Sequence, residues 1–581
     1  MPAKPSGEVK TRIVHVPQKN GDIYVLERQT IYIPEKKYNK VISSKLIAKI
    51  PKGEENPVPT RPKSPDGKKS IKKPKNLSAS RMHVGMMDII DHIGTVSGID
   101  AGVYGSTEIG TAQKIISLAR YLFATDGQSL PGILTWQYTH PLPYTQGLSE
   151  KIYHSLFVQV GRDEALQQNF FKSRCRCLGK MSALAYDSTT ISTYSNNQIE
   201  ARYGYNKAGD GLKTVKLLTL YSIDARQPVA FTKQPGNIPD VLTVKNSLQQ
   251  LSALGLDAAE IITDNGYYSE QNLAGMFCAG YHFLTLVKTN IKWVKKEIDG
   301  HMDEFTSIGS VCPFDPGIHG ITVKLMHTFT KERKYSSDKK GLSKGDRETF
   351  SRRIYLNIYF SLGRQNQDRM VFEADLMELK TVIESGIPVE ELPRRSQDKV
   401  RKYLAIRHWG DRITVTFNDK ACQEAYRYHG FFALVSDKEK DTFECLRKYR
   451  KRETIESFFE TGKQHADGAR TRVWDTDTLR GRMFVQFVAL CYYEYYSNEI
   501  RKLKQLLGKP NGESSHDTKG NLDDEKALKS WLQNTPVYLQ LQWFDTVENT
   551  TVSSELRNKR WSTEVTARDS MFLEKLGIQT T

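Results

Sequence analysis

The sequence predicts an α/β fold built on one mixed sheet, and three observations carry that expectation. Between residues 179 and 287 three apolar runs, KMSALAYDSTTI, LKTVKLLTLYS and QPVAFTK, follow one another across short polar turns. After them helix-like and strand-like segments alternate as DVLTVKNSLQQLSALG, AAEIITDNGYY, SEQNLAGMFCAG and YHFLTLV. Long segments with apolar residues at helical spacing flank this block and supply helices for both faces of the sheet.

Taken in order, residues 1–50 read as a small β-rich region, in which RIVHV and DIYVLERQTIYI flank Asn20-Gly21, a tight-hairpin signal. Residues 51–80 are rich in Pro and Lys and read as a flexible basic linker. Residues 81–178, with VGMMDIIDHIG, AQKIISLARYLFA and SEKIYHSLFVQVG, predict a helical bundle suited to binding DNA. The β-β-β-α-β-α-β order of residues 179–287 is that of a ribonuclease H-like sheet. In that sheet the first and fourth strands are neighbours, so Asp187 and Asp264, each read as ending a strand, meet at one sheet end.

Residues 288–437 depart from that order and read as an inserted mixed domain, with strands such as GITVKLMH and RRIYLNIYFSL and the helix DRMVFEADLMELKTVIESG. The core resumes over 438–507, and 508–581 is a helical C-terminal region entered through the polar stretch GKPNGESSHDTKGNLDD.

Lys and Arg outnumber Asp and Glu by 84 to 67, a net charge of +17 that points to a polyanionic partner, nucleic acid first. No apolar run approaches a membrane span and the N-terminus lacks a signal-peptide core, so a soluble, unexported protein is expected. Seven scattered cysteines make no disulfide framework and suit a reducing cytosol; Cys175 and Cys177 have no second pair at zinc spacing.

The segment KYRKRETIESFFETGKQ is the most informative. On one continuous helix Tyr449, Arg452, Glu456 and Lys463 fall within an arc of roughly sixty degrees, opposite Ile455, Phe458 and Phe459. Singly, the acids have ordinary readings: Asp187 as a turn or cap residue, Asp264 as the head of an Asp-Asn-Gly turn, Glu456 as the ion-pair partner of Arg452. Their order along the chain unites them, because a ribonuclease H-like sheet would gather all three. Asp, Asp and Glu are hard oxygen ligands for two Mg²⁺ ions, with Asp187 bridging and Asp264 and Glu456 terminal. Arg452, Lys463 and Tyr449 would hold phosphate oxygens. Glu453 and Glu460 lie close to the same face, and spacing leaves them open as ligands.

The segment from Tyr449 to Lys463 resembles the YREK signature of DDE transposases, those of bacterial cut-and-paste insertion sequences. LAYDSTTI and IITDNGYY resemble their two aspartate motifs, and the resemblance runs from about Met181 to Leu490. It implies a ribonuclease H-like core with a β-rich insertion and two Mg²⁺ ions, with Mn²⁺ as a substitute. It implies cleavage at transposon ends followed by strand transfer into target DNA. The partners would be double-stranded DNA, as terminal inverted repeats and target, and a second copy of the chain in a synaptic homodimer. The place of action would be the cytoplasm, at the nucleoid.

Where that branch carries a base-stacking tryptophan, this chain has Phe431 and Phe432, for which a buried-core role is the competing reading, with Trp293 and Trp409 as lesser candidates. Arg470, Arg472, Arg480 and Arg482 form a basic stretch expected near DNA. The competing expectations are a ribonuclease H-like nuclease without strand transfer and an inactive, domesticated DNA-binding protein.

Overall fold

The structure, a computed structural model, describes residues 9–34, 37–60, 78–256, 259–332, 345, 347–410, 412–507, 519–553 and 558–578. The chain divides into two compact units, Met1–Ser78 with Ser553–Asn558 and Ala79–Val552 with Lys559–Thr581. Most of the expected basic linker (61–77), residues 333–344 of the expected insertion and the first part of the second polar stretch (508–518) lie outside the described residues.

The first unit is an antiparallel sheet of Lys10–Pro17, Ile23–Ile33, Tyr38–Ile50 and Val58–Pro59. Its first hairpin turns where the Asn-Gly signal lies, with Gly21 at φ 88°, a conformation that glycine adopts without strain.

Among the described residues, the second unit is built on a nine-stranded sheet. Its strands are β1 (Ala183–Thr193), β2 (Lys213–Ser222), β3 (Gln227–Pro235), β4 (Glu260–Thr263), β5 (His282–Val287), β6 (Val311–Cys312), β7 (Asp315–Glu332), β8 (Arg347–Ser361) and β9 (Phe431–Ser436). Their spatial order is β6-β7-β8-β9-β5-β4-β1-β2-β3. The run β3-β2-β1-β4-β5, antiparallel across its first three strands and parallel from β1 to β5, is the expected ribonuclease H-like core. Every residue of β1 and β4 is buried, and because side chains alternate between faces the sheet is covered on both sides.

Asp187 does not end β1, which runs on to Thr193. The polar Ser-Thr-Thr-Ile-Ser-Thr run read as a strand end is rich in β-branched residues, and it continues the pairing with β2.

The segment 288–437 divides its elements between two places. β9 pairs with β5, and β8, β7 and β6 follow outward, so these strands extend the core sheet. Leu362–Glu384, Arg394–Tyr403, Asp419–Tyr426 and the hairpin Leu404–Trp409 with Arg412–Phe417 close over a core of their own that includes Leu376, Ile383, Val400 and Val415.

The helices Gly85–Val96, Ile109–Ala124, Glu150–Arg162 and Glu164–Leu178 share one apolar core with the sheet and with the 31-residue helix Thr476–Leu506. Helices Glu150–Arg162 and Thr476–Leu506 cross at Gly161 and Gly481. A Cβ on Gly161 would lie 1.9 Å from the Asp477 carbonyl oxygen, and one on Gly481 1.9 Å from that of Phe157. Phe170, Phe171, Phe231, Phe484 and Phe487 interlock beside this crossing.

The C-terminal region contains the expected helices, Lys519–Asn534, Val537–Trp543 and Ala567–Lys575. It also supplies two strands, Glu548–Ser553 and Asn558–Ser562, which form a sheet with Ser78–His83. The first helix starts at Lys519, inside the stretch expected to be a linker.

Candidate active site

The parallel pairing of β1 with β4 sets Ala183 opposite Glu260, Leu184 opposite Ile261 and Ala185 opposite Ile262. The same offset carried on to Asp187 places it level with Asp264, just past the end of β4. Asp264 caps the 3-10 turn Asn265–Tyr267 by accepting from Asn265 N at 2.7 Å.

The expected Tyr449–Lys463 helix is two helices, α1 (Thr442–Arg450) and α2 (Glu453–His465). Between them the backbone tightens to i→i+3 bonds: Arg452 N to Tyr449 O (2.9 Å), Thr454 N to Lys451 O (3.2 Å) and Ile455 N to Arg452 O (2.9 Å). Three residues per turn there, instead of 3.6, rotate Tyr449 relative to Glu456 and bring Arg452 onto the sheet.

Arg452 is the hub of the site. Its Nη1 donates to Asp187 Oδ2 and its Nη2 to Glu456 Oε1, both at 2.7 Å. The side chains of Arg452 and Asp187 are 8% and 11% exposed, whereas that of Glu456 is 55% exposed. Tyr449 Oη donates to Asp264 Oδ1 at 3.2 Å, and the guanidinium lies 5.5 Å from the Tyr449 ring centre. Asp187 Oδ1 also accepts from Ser188 N at 2.7 Å and from Tyr267 Oη at 3.3 Å.

Burial pushes the Asp187 carboxyl above the usual range, against the pull of Arg452, the Ser188 N–H and Lys207, while the nearby Asp264 charge adds to the rise. Burial likewise pushes the Tyr449 hydroxyl up, with the neighbouring Asp264 carboxylate reinforcing it.

Lys463 stands apart from the carboxylates. Its ammonium is pulled below the usual lysine range by burial and by Lys207, and its residue lines a small cavity of about 40 Å³ with Thr189, Phe458 and Phe459. Glu453 lies along another cleft with Arg450, Lys451 and Arg501, and Glu460 acts on Lys463. Of the three glutamates, Glu456 is the one bonded to the arginine that holds Asp187.

Lys207 and Tyr267 escaped the sequence reading. Tyr267 follows Asp264 within DNGYY and could have been marked by that proximity. Lys207 lies on the aperiodic loop 194–212, where its ammonium donates to Ser188 O at 3.0 Å, and nothing local announces it. The same loop exposes Tyr194, Tyr203 and Tyr205.

The other expected DNA contacts divide. Phe431 is buried against Phe305 and Phe360, and half-buried Phe432 already stacks on Tyr359 at 4.8 Å, so a terminal β9 position does not free either ring for a base. Trp293 packs on His327, whereas Trp409, at a hairpin tip, is exposed. Arg482 is buried in an ion pair with Asp467, and Arg470 pairs with Asp210, so both serve the fold here. Arg480 lies 3.6 Å from Glu164 and 3.8 Å from Glu200. Arg472, 56% exposed and at φ 50°, pairs with Asp467 at 2.8 Å and still faces solvent.

The three carboxylates are all oxygen ligands: one buried cation, Arg452, joins Asp187 to Glu456, and the Tyr449 hydroxyl holds Asp264. That donor set fits a hard divalent ion, whose charge would substitute for the one Arg452 supplies between Asp187 and Glu456.

No curated protein matches the chain. Among solved structures it aligns with a piggyBac transposase in a synaptic complex with hairpin DNA, over 79% of this chain and 78% of that one, at 10% identity and a TM-score of 0.33, a likeness too slight to bear on function. The family model described as the transposase DDE domain matches residues 178–492, which spans β1 to β5, the insertion, α1, α2 and most of Thr476–Leu506. With more than half of its 581 residues so matched, the chain belongs to the transposase DDE-domain family.

Proposed function

We propose that this chain is a cut-and-paste DNA transposase of the YREK-signature branch, with Asp187, Asp264 and Glu456 as its catalytic carboxylates. The observation that carries the reading is the Arg452 bridge between Asp187 on β1 and Glu456 on α2, with Asp187 level with Asp264. Two Mg²⁺ ions held by the three carboxylates would activate the attacking oxygen and stabilise the leaving one.

The chain's own residues do the rest. Tyr449 orients Asp264 through its hydroxyl, and Tyr267 with the Ser188 N–H orients Asp187. Arg452 and Lys207 present two cations beside Asp187, and Lys463, near Lys207, adds a third further off, where they can meet phosphate oxygens of a DNA end. In the first step water attacks the end phosphate, the P–O3′ bond breaks and a 3′-hydroxyl leaves. In the second that hydroxyl attacks a target phosphate and displaces a second 3′-oxygen, so bonds made and broken balance. Two ends must be brought together, which supports a homodimer acting at the nucleoid. No described helix is long and apolar enough to cross a membrane.

The test uses the full-length chain, Mg²⁺, a plasmid carrying the element's terminal repeats and a target plasmid. Cleaved ends and joined products are expected, and Asp187→Ala should abolish both while end binding in a gel-shift assay persists. Cleavage retained by Asp187→Ala overturns the site, and cleavage without joining replaces transposase with nuclease.

A further inference from the structure

Outside the carboxylate site, the strand Ser78–His83, the residues after helix Ile133–Trp136 and the turn Phe544–Thr546 bring His83, His140 and Asp545 together. Their ligand atoms all lie within 4.8 Å of one another. His140 Nδ1 lies 2.8 Å from the Trp136 carbonyl oxygen, and His83 Nδ1 lies 2.7 Å from that of Asp545. A carbonyl oxygen only accepts, so each Nδ1 carries the hydrogen and each Nε2 is the nitrogen left to bind. At His140 the Thr139 hydroxyl, 3.0 Å from Nδ1, can accept from the same hydrogen.

Those free nitrogens face carboxylates: His140 Nε2 is 2.9 Å from Asp545 Oδ1, and His83 Nε2 is 3.8 Å from Glu548 Oε1. A nitrogen lone pair set against a carboxylate oxygen is repulsive unless a cation lies between them or the ring gains a second proton. A metal ion answers both nitrogens with one charge.

The distances suit zinc. With bonds of about 2.0–2.1 Å, two ligands of a tetrahedral zinc lie about 3.3 Å apart, and the two nitrogen–oxygen separations bracket that spacing. Nδ1–H donation to a carbonyl is also how ligating histidines are oriented. Trp136 stacks on His140 at 3.8 Å and 7°, fixing that ring, and Arg81 Nε lies 3.1 Å from Glu548 Oε2, fixing that carboxylate. His140 is buried while Asp545 is 37% exposed, which leaves a path for the ion.

We propose that His83, His140, Asp545 and Glu548 form a zinc site that ties the C-terminal region to the helical part of the chain. The close group is His83, His140 and Asp545, and Glu548, 3.8 Å from His83 Nε2, would supply the fourth ligand of a closed, structural site; the clip would close a loop of several hundred residues, where cross-links constrain the unfolded chain most.

The test is zinc binding by the full-length protein after chelator dialysis, in excess Mg²⁺ so that the oxygen-only triad is occupied. One zinc per chain is expected, and Asp187→Ala should retain it. His83→Gln and His140→Ala should each lower affinity by more than about 100-fold, beyond the effect of losing an outer-shell partner. Co²⁺ in the wild-type chain should give the strong visible absorption of a tetrahedral site, which decides the matter even if a histidine variant fails to fold. No retained zinc, equal retention by both histidine variants, or a weak octahedral cobalt spectrum overturns the proposal. So does an unfolding temperature that follows pH and ignores zinc, which would mean a protonated histidine pair.

Discussion

Arg452→Gln isolates the bridge at the candidate active site, because its two ion pairs lie in different surroundings. The pair with Asp187 is closed off from water on both sides, and that with Glu456 is open on the glutamate side. Removing one partner of a buried pair leaves an uncompensated charge and costs about 3–5 kcal/mol. An exposed i,i+4 helix pair contributes only about 0.3–0.5 kcal/mol. Urea unfolding at neutral pH, followed by far-UV circular dichroism, should therefore show Arg452→Gln strongly destabilised and Glu456→Gln within about 0.5 kcal/mol of the parent.

The pH dependence follows from Asp187. Without the guanidinium nothing of comparable strength opposes burial, so its already raised pKa rises further. The carboxyl then takes up a proton as pH falls through that value, and the deficit of Arg452→Gln should shrink on acidification. Adding Asp187→Asn to Arg452→Gln should recover much of the loss at neutral pH, since no buried charge remains. Equal losses for Arg452→Gln and Glu456→Gln, or a deficit that grows toward acid, would refute the account.

Two further predictions concern the scaffold. Burial lifts the Glu494 carboxyl to about 7, with Tyr221 Oη donating to it at 2.7 Å and Arg501 and Arg226 opposing the rise, so the native state holds a proton that the unfolded chain has released. Stability should thus fall from pH 4.5 to 7 by an amount on the order of 3 kcal/mol for full burial, or about 1–2 after discounting for the solvent Glu494 meets in its cleft. Glu494→Gln should remove that part of the pH slope in urea titrations; an unchanged slope counts against it. Gly481→Ala puts a Cβ into the Phe157 carbonyl and should lower stability by about 1–3 kcal/mol despite the better helix propensity of Ala. Gly363→Ala, with open space around it, is the control, and a matching loss there would show that the crossing is not the cause.

The β-β-β-α-β-α-β order was legible because β1 to β5 are apolar runs bounded by turns, and neighbouring first and fourth strands then bring Asp187 to Asp264. The break at Lys451 and Arg452 was not legible. KYRKRETIE contains neither Gly nor Pro, and the tight turn there accompanies the reach of Arg452 into the sheet, a tertiary demand with no local mark. Arg482 read as a DNA-facing candidate because charge alone does not report burial, and it is enclosed against Asp467; for Phe431, where stacking and a core role were both open, packing on Phe305 and Phe360 fits the core role. Lys207 and the His83, His140 and Asp545 group share the same difficulty. Their partners are set by how loops and strands meet, so no spacing within a segment could have announced them.

Charge balance around Arg452 bears on the order in which the site fills. Three carboxylates, Asp187, Asp264 and Glu456, already have two cations close by, Arg452 and Lys207, with Lys463 acting on Lys207 from further off. Two divalent ions would add four positive charges to a partly buried site, which like-charge repulsion with Arg452 resists until phosphates arrive. DNA supplies that negative charge next to the same three cations. Metal and DNA should accordingly bind with positive coupling, each raising the other's affinity by the same factor. The exposed tyrosines of loop 194–212 would add contacts that depend on DNA alone. On the proposed reading Arg452 would hold Asp187 to Glu456 before DNA binds and meet phosphate afterwards. A permanently charged, forked side chain would suit that double duty, where a lysine could reach only one carboxylate at a time.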